Sequence, residues 1–277
     1  MPIQEVFFKS SAYLTCLSHA LSTEKEEIMG LLLGHVEPNC DSSSRKEDAV
    51  GQSFIESVVI LQRSVRQADR VEISPLQLSA ATQKAEELSV ELSKPIRVLG
   101  WYHSHPHITV QPSHVDVRTQ ANYQAMDPDF IGIIFSVFQQ ESNEKFAHSS
   151  LICFQAVDVD GILSSKEIPV NIACNNKPTI ISRHCLEALA RIPLTLFNEE
   201  NELKGKCFDG DSISQVHNLA VFTQAMCQLI ECFEIPCISA VIAYEQSLLS
   251  RLHRLQMVKE NLETHCHDVD HVIALNK

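Results

Sequence analysis

One stretch constrains the fold more than any other. Residues 95–105, PIRVLGWYHSH, alternate as a β-strand, and residues 113–126, SHVDVRTQANYQAM, have helical spacing, with the Pro-bounded turn HPHITVQP between them. His103 and His105 are two apart at a strand end, where side chains two apart share a face. Ser113 and Asp116 are three apart at a helix start and share a face there. Ser113 with Asp116 also fits a helix-capping box, and either pair alone is weak evidence for a site. The turn folds the helix start back over the strand end, so that both pairs converge on one point.

The rest of the chain up to about residue 175 interleaves helices with strands. A helical pattern covers residues 10–21, with Tyr13, Cys16, Leu17 and Leu21 on one face, and EIMGLLLGHV and FIESVVIL read as buried strands. Between those strands residues 39–53, NCDSSSRKEDAVGQS, read as a polar loop. DRVEISP leads to LQLSAATQKAEELSVEL, a helix ending at SKP, and FIGIIFSVF, SLICFQAVDV and KEIPVNIA are later strand candidates. The expectation is an α/β domain over residues 1–175, with a mixed β-sheet flanked by helices because the last strands follow one another closely enough to form hairpins.

Residues 176–277 change character. IISRHCLEALARI reads as a helix up to Pro193, NEENELKGKCFDGD as a polar connector, and SISQVHNLAVFTQAMCQLIECFEI as an amphipathic helix stopped by Pro236. Beyond Ile238, Val241, Leu248, Leu252, Leu255 and Leu262 form a coiled-coil-like seam. Two such helices could pair as a hairpin. Ile230, Phe233, Leu248 and Leu255 give more apolar surface than a hairpin covers, which favours an assembly arm that docks on another chain. The tail ETHCHDVDH reads as a frayed polar helix end.

The 277 residues carry a net charge of −13 and 44% hydrophobic content, enough for a substantial core and unfavourable for direct nucleic-acid binding. No eighteen-residue apolar run stands out, so no membrane span is expected, and the N-terminus lacks the marks of an export signal. Ten scattered cysteines without a CxxC pair read as free thiols in a reducing compartment, cytoplasm or nucleus.

Two imidazoles and a carboxylate make a three-ligand set of the kind a catalytic Zn²⁺ uses while keeping a fourth position for water. With no thiolate nearby, hydrolysis is the natural chemistry. His107 and His114 fall outside the spacing and read as surface residues.

HSHP, the seven residues from Pro106 to Pro112, Ser113, two residues and Asp116 match the HxHx7Sx2D pattern of the JAMM, or MPN-plus, metallopeptidases, and EEIMGLLLG supplies that family's upstream glutamate at Glu27. The chain therefore resembles this family. LSTEKEEIMG, DRVEISPLQLSAA and GWYHSHPHITV are similar to its branch of deubiquitinase subunits in the BRISC and BRCA-A assemblies. The resemblance implies an MPN domain, a zinc ion on His103, His105 and Asp116, Glu27 as general base, and Ser113 as oxyanion donor. It also implies cleavage of lysine-63-linked polyubiquitin, and an inactive MPN-minus scaffold of the Abraxas family bound to the helical arm in a higher-order assembly. Glu24 and Glu26 read as solvated charges beside Glu27. Gln111 departs from the aromatic residue expected next to the site and bears on substrate contacts. The rival readings are a catalytically silent scaffold of the same fold and an isopeptidase for another ubiquitin-like modifier.

Overall fold

A computed structural model describes residues 3–24, 26–38, 51–63, 73–139, 148–173, 182–208 and 210–275. Most of the Ser-rich loop, the first part of DRVEISP, and the side chains of Phe233 and of the tail beyond Cys266 lie outside the described residues. The chain forms two compact units, Met1–Gly205 and Lys206–Lys277.

In the first unit the order is β1 (Ile3–Lys9), α1 (Ser10–Ala20), β2 (Met29–Pro38), β3 (Gly51–Ile60), α2 (Pro75–Leu92), β4 (Arg97–Pro106), α3 (His114–Met126), β5 (Ile131–Gln139), β6 (His148–Val159), β7 (Ile162–Ile168), β8 (Val170–Ala173) and α4 (Arg183–Leu203). The eight strands make one sheet in the order β7-β6-β5-β4-β2-β3-β1-β8. It is mixed: β4 runs parallel to β5, and β1 parallel to both β3 and β8, while the other pairings are antiparallel. The mixed sheet flanked by helices that the sequence leads one to expect is present.

KEIPVNIA, expected as one strand, is two. Pro169 separates β7 at one edge of the sheet from β8 at the other, because proline cannot donate to a ladder. Its carbonyl accepts from Val6 N at 2.9 Å. Opposite edges joined through a single residue require the sheet to curl. One face of the curled sheet buries Phe8, Ala12, Cys16, Ile28, Leu32, Tyr102, Phe135 and Cys185 in a continuous core. α1 lies in it with Ala12, Thr15, Cys16 and His19 buried, one step round from the face expected, and Leu21 is exposed.

α4 corrects the expectation that Pro193 ends a helix, since it continues through that residue to Leu203. The cost of a proline inside a helix, about 3 kcal/mol, is offset by a stripe of buried side chains, Cys185, Ala188, Ile192, Leu196 and Glu199. Much of the supposed polar connector is therefore helix. α4 packs on α1 and β3 and belongs to the first compact unit, which ends at Gly205.

The second unit is helical from Ser212 onward. α5 (Ser212–Gln228) passes through a π-helical turn, Leu229–Glu234, into α6 (Ile235–Leu275). Pro236 does not stop the helix. It follows an i→i+5 bond from Ile235 N to Ile230 O, and the wider π turn shifts the carbonyl that the proline ring would strike. The two helices read from the sequence are thus one run rather than the alternative hairpin, with Ile213, Val216, Ile230, Ile238, Leu252, Leu255 and Leu262 all exposed. An eighteen-residue window within it has mean hydropathy 1.6 with none of it buried, long and apolar enough to cross a membrane by length and composition.

Candidate metal centre

β4 brings the first two side chains to the site. Met29 pairs with His103 across the β2–β4 ladder, and His105 pairs with Ser136 on β5. The period of two directs both imidazoles to one face, while Ser104 between them faces the other way and binds Ile28: Ile28 N donates to Ser104 Oγ at 3.0 Å, and Ser104 N to Ile28 O at 3.1 Å. The turn after β4 is held against β5 by His107 N to Val137 O at 2.9 Å and Ser136 Oγ to Ile108 O at 2.6 Å. That turn delivers the start of α3.

The capping box at α3 is real: Asp116 N donates to Ser113 Oγ at 3.2 Å, and Ser113 N donates to Asp116 Oδ2 at 2.7 Å. It does not compete with the site. The same carboxylate faces both imidazoles, with Oδ1 3.3 Å from His103 Nε2 and Oδ2 3.6 Å from His105 Nε2, while the two Nε2 atoms are 3.1 Å apart. All three residues are buried, and among the described residues they form a group able to hold a metal ion. The cap therefore fixes the carboxylate rather than replacing its role.

The tautomer of His105 suits ligation. His105 Nδ1 is 2.7 Å from the Thr109 carbonyl, which requires a proton on Nδ1 and leaves the Nε2 lone pair directed at the group. His103 stacks on Trp101 with ring centroids 4.6 Å apart and an interplanar angle of 15°. The indole is itself held by Trp101 Nε1 donating to Gln120 Oε1 at 2.8 Å. Two basic nitrogens and a carboxylate in mutual contact, away from water, are stabilised together only by positive charge. Burial alone favours the neutral acid at Asp116, but the hydrogen bonds from His103, His105 and Ser113 and the charge of His103 hold its carboxyl well below the usual range. His105 shows the counterpart: burial opposes its charged form, yet Asp116, the Thr109 carbonyl and the charge of Glu27 raise it above the ordinary imidazole value.

Glu27 is half-buried, two residues ahead of Met29 on the strand that pairs with His103, and its charge acts on His105. Ser113 is exposed, and because its oxygen accepts from Asp116 N its own hydrogen remains to be donated. Gln111 is exposed beside it. His107 is exposed, as expected, 4.0 Å from Glu24.

Comparison with known proteins matches the profile described as JAB1/Mov34/MPN/PAD-1 ubiquitin protease over residues 2–129, and the BRCC36 C-terminal helical domain over residues 185–262. The chain is 41% identical to the Lys-63-specific deubiquitinase BRCC36 of Rattus norvegicus, over 94% of each chain. It is 40% identical to that of Xenopus tropicalis, over 95% of this chain and 97% of the relative, and 40% identical to the Homo sapiens protein over 81% and 84%. The chain belongs to the BRCC36 family. Its two matched regions are a JAB/MPN fold followed by a helical domain.

Within this BRCC36-family chain, several residues that shape the centre escaped sequence reasoning. Thr109 acts through a backbone carbonyl, which no side-chain pattern reveals. Trp101 is two residues before His103 on the same face, so the strand period carried the signal, but Gln120 became legible only once α3 was docked. Glu26, read as a solvated charge, is paired with Arg63. The cysteines at 16, 153, 185 and 207 are buried free thiols, as expected, whereas Cys227 and Cys266, also free, are exposed and Cys237 is half-buried.

Proposed function

We propose that the chain is a zinc-dependent deubiquitinase that hydrolyses lysine-63-linked polyubiquitin as the catalytic subunit of a multi-subunit complex. The observation that carries this reading is the convergence of His103, His105 and Asp116. Ligand atoms about 2.1 Å from one tetrahedral zinc stand roughly 3.4 Å apart, and the three separations here are 3.1, 3.3 and 3.6 Å. The relatives named Lys-63-specific deubiquitinases support the substrate. An exposed apolar helix matching the BRCC36 C-terminal domain supports a helical partner, for which an inactive MPN-minus scaffold of the Abraxas family is the reading adopted, in a higher-order assembly in cytoplasm and nucleus.

His103, His105 and Asp116 would hold the zinc, which would supply Lewis acidity and lower the pKa of a water to about 7. Glu27 takes the proton of the attacking water and returns it to the leaving lysine amine. The Ser113 hydroxyl donates to the carbonyl oxygen as it gains negative charge, a contact whose loss typically costs about 10²- to 10³-fold in rate. Thr109 and Trp101 hold the imidazoles in place throughout.

The test is cleavage of a di-ubiquitin panel and a neddylated substrate, with and without a helical partner, paired with metal analysis. Lysine-63-linked di-ubiquitin is the expected substrate, and a Glu27→Gln variant is expected to keep its zinc while losing nearly all turnover. Preferential cleavage of the neddylated substrate, or substantial turnover by Glu27→Gln, refutes the assignment.

A further inference from the structure

Glu27 lies between two fixed neighbours. On its C-terminal side, Ile28 exchanges both backbone groups with Ser104, the residue between the histidines. On its N-terminal side, the Glu26 carboxylate accepts from Arg63 Nη1. Arg63 follows β3, where Leu61 N still bonds Met29 O at 3.3 Å, so it sits at the entry to β2. Its guanidinium is only 8% exposed and its main partner, Glu199 of α4, only 3%. Arg63 N donates to Glu199 Oε1 at 2.8 Å, and Nε and Nη2 donate to Oε2 at 3.0 and 2.6 Å. Gln62 reinforces the tie, its Nε2 donating to Glu202 Oε1 at 2.7 Å.

A buried Arg–Glu pair is poor value as a source of stability, because desolvation cancels much of the attraction. It does fix direction: a planar guanidinium held through Nε and Nη2 by one carboxylate, which also accepts the Arg63 backbone N–H, leaves its remaining edge aimed one way. That edge meets Glu26. We propose that Glu199, Arg63 and Glu26 form a clamp that positions Glu27, three positioning residues for the reaction proposed above, on whose assignment of Glu27 this inference rests. With Glu26 and Ile28 both anchored, the one residue between them has little backbone freedom, and its carboxylate is held toward the metal centre. α4 therefore serves the site through an Arg63–Glu199 contact that spans 136 residues of sequence.

Glu26→Ala tests the clamp, because Glu26 is partly exposed and its loss leaves the Arg63–Glu199 pair intact. In the active assembly, kcat on lysine-63-linked di-ubiquitin is expected to fall about 10- to 100-fold, the scale of a misplacement near 1 Å, with KM and bound zinc unchanged. Glu26→Gln, which still accepts from Arg63, restores most of the rate. In the metal-free chain, amide exchange across residues 22–30 accelerates in Glu26→Ala while α2 and α4 keep wild-type protection. Arg63→Met/Glu199→Met, an apolar replacement that avoids an unpaired buried charge, reproduces the kcat loss and adds nothing to Glu26→Ala. Wild-type kcat in Glu26→Ala, or faster exchange spread through α2 and α4, overturns the clamp. Activity retained by Glu27→Gln would instead remove the base assignment, and the exchange result would still decide the clamp on its own.

Discussion

Trp101 offers the sharpest test of how the centre is held. The indole is 2% exposed, lies flat on His103 and satisfies Gln120 Oε1, an acceptor on a side chain with no exposure at all. Trp101→Leu removes the stack and orphans that acceptor. The orphan costs about 1–3 kcal/mol, and the partly filled space adds about 2 kcal/mol, so the total is about 4 kcal/mol. At roughly 2–4 °C per kcal/mol for a unit of this size, the metal-free melting temperature should fall by about 8–16 °C. Zinc affinity should drop about 10- to 100-fold, as when a group that orients a ligand is lost. Gln120→Met separates the two contributions. It removes the acceptor, while the Phe130 carbonyl keeps Gln155 as a donor at 3.1 Å and Gln124 Oε1 keeps Ala156 N at 2.7 Å. In the double variant the stability losses should therefore fall short of their sum by about 1–2 kcal/mol, while zinc affinity stays low. Urea unfolding without metal and calorimetric titration with zinc read both quantities. Additive losses together with wild-type zinc affinity would show that Trp101 is merely core.

Two further outcomes follow from packing and burial. A Cβ at Gly30 would lie 2.3 Å from the Tyr102 ring, so Gly30→Ala should force β2 and β4 apart next to His103 and cost about 3 kcal/mol; a urea midpoint within error of wild type refutes this. Burial, with a lesser effect from the Arg63 charge, pushes His19 down to about 3, and its Nδ1 lies 3.0 Å from the Tyr102 hydroxyl. Between about 3 and 6.5 the unfolded chain binds the proton that the folded one refuses. Stability from this group is thus complete above pH 6.5 and is lost as pH falls, by up to about 1.4 kcal/mol per unit. His19→Gln should flatten the dependence of urea stability between pH 7.5 and 5.5, and an unchanged slope contradicts the assignment.

Local spacing in the sequence determined the parts of the site that depend on short-range geometry. Two histidines at a strand period, Ser113 and Asp116 at a helix start, and a turn between them define convergence within sixteen residues, and the structure places His103, His105 and Asp116 in one group that could hold a metal ion. The mixed α/β architecture was legible for the same reason, since β2 to β6, α2 and α3 each carry their own period. Prolines misled where neighbours decided the outcome: Pro193 lies within α4 because a buried stripe holds that helix together, and Pro236 is accommodated by a π turn. The tertiary structure alone decided the joining of the sheet's two edges at Pro169, the Trp101–Gln120 support, and the Glu199–Arg63–Glu26 contact. Each pairs groups whose separation along the chain follows no period, so burial and charge compensation in the folded state, rather than backbone repeat, select the partners.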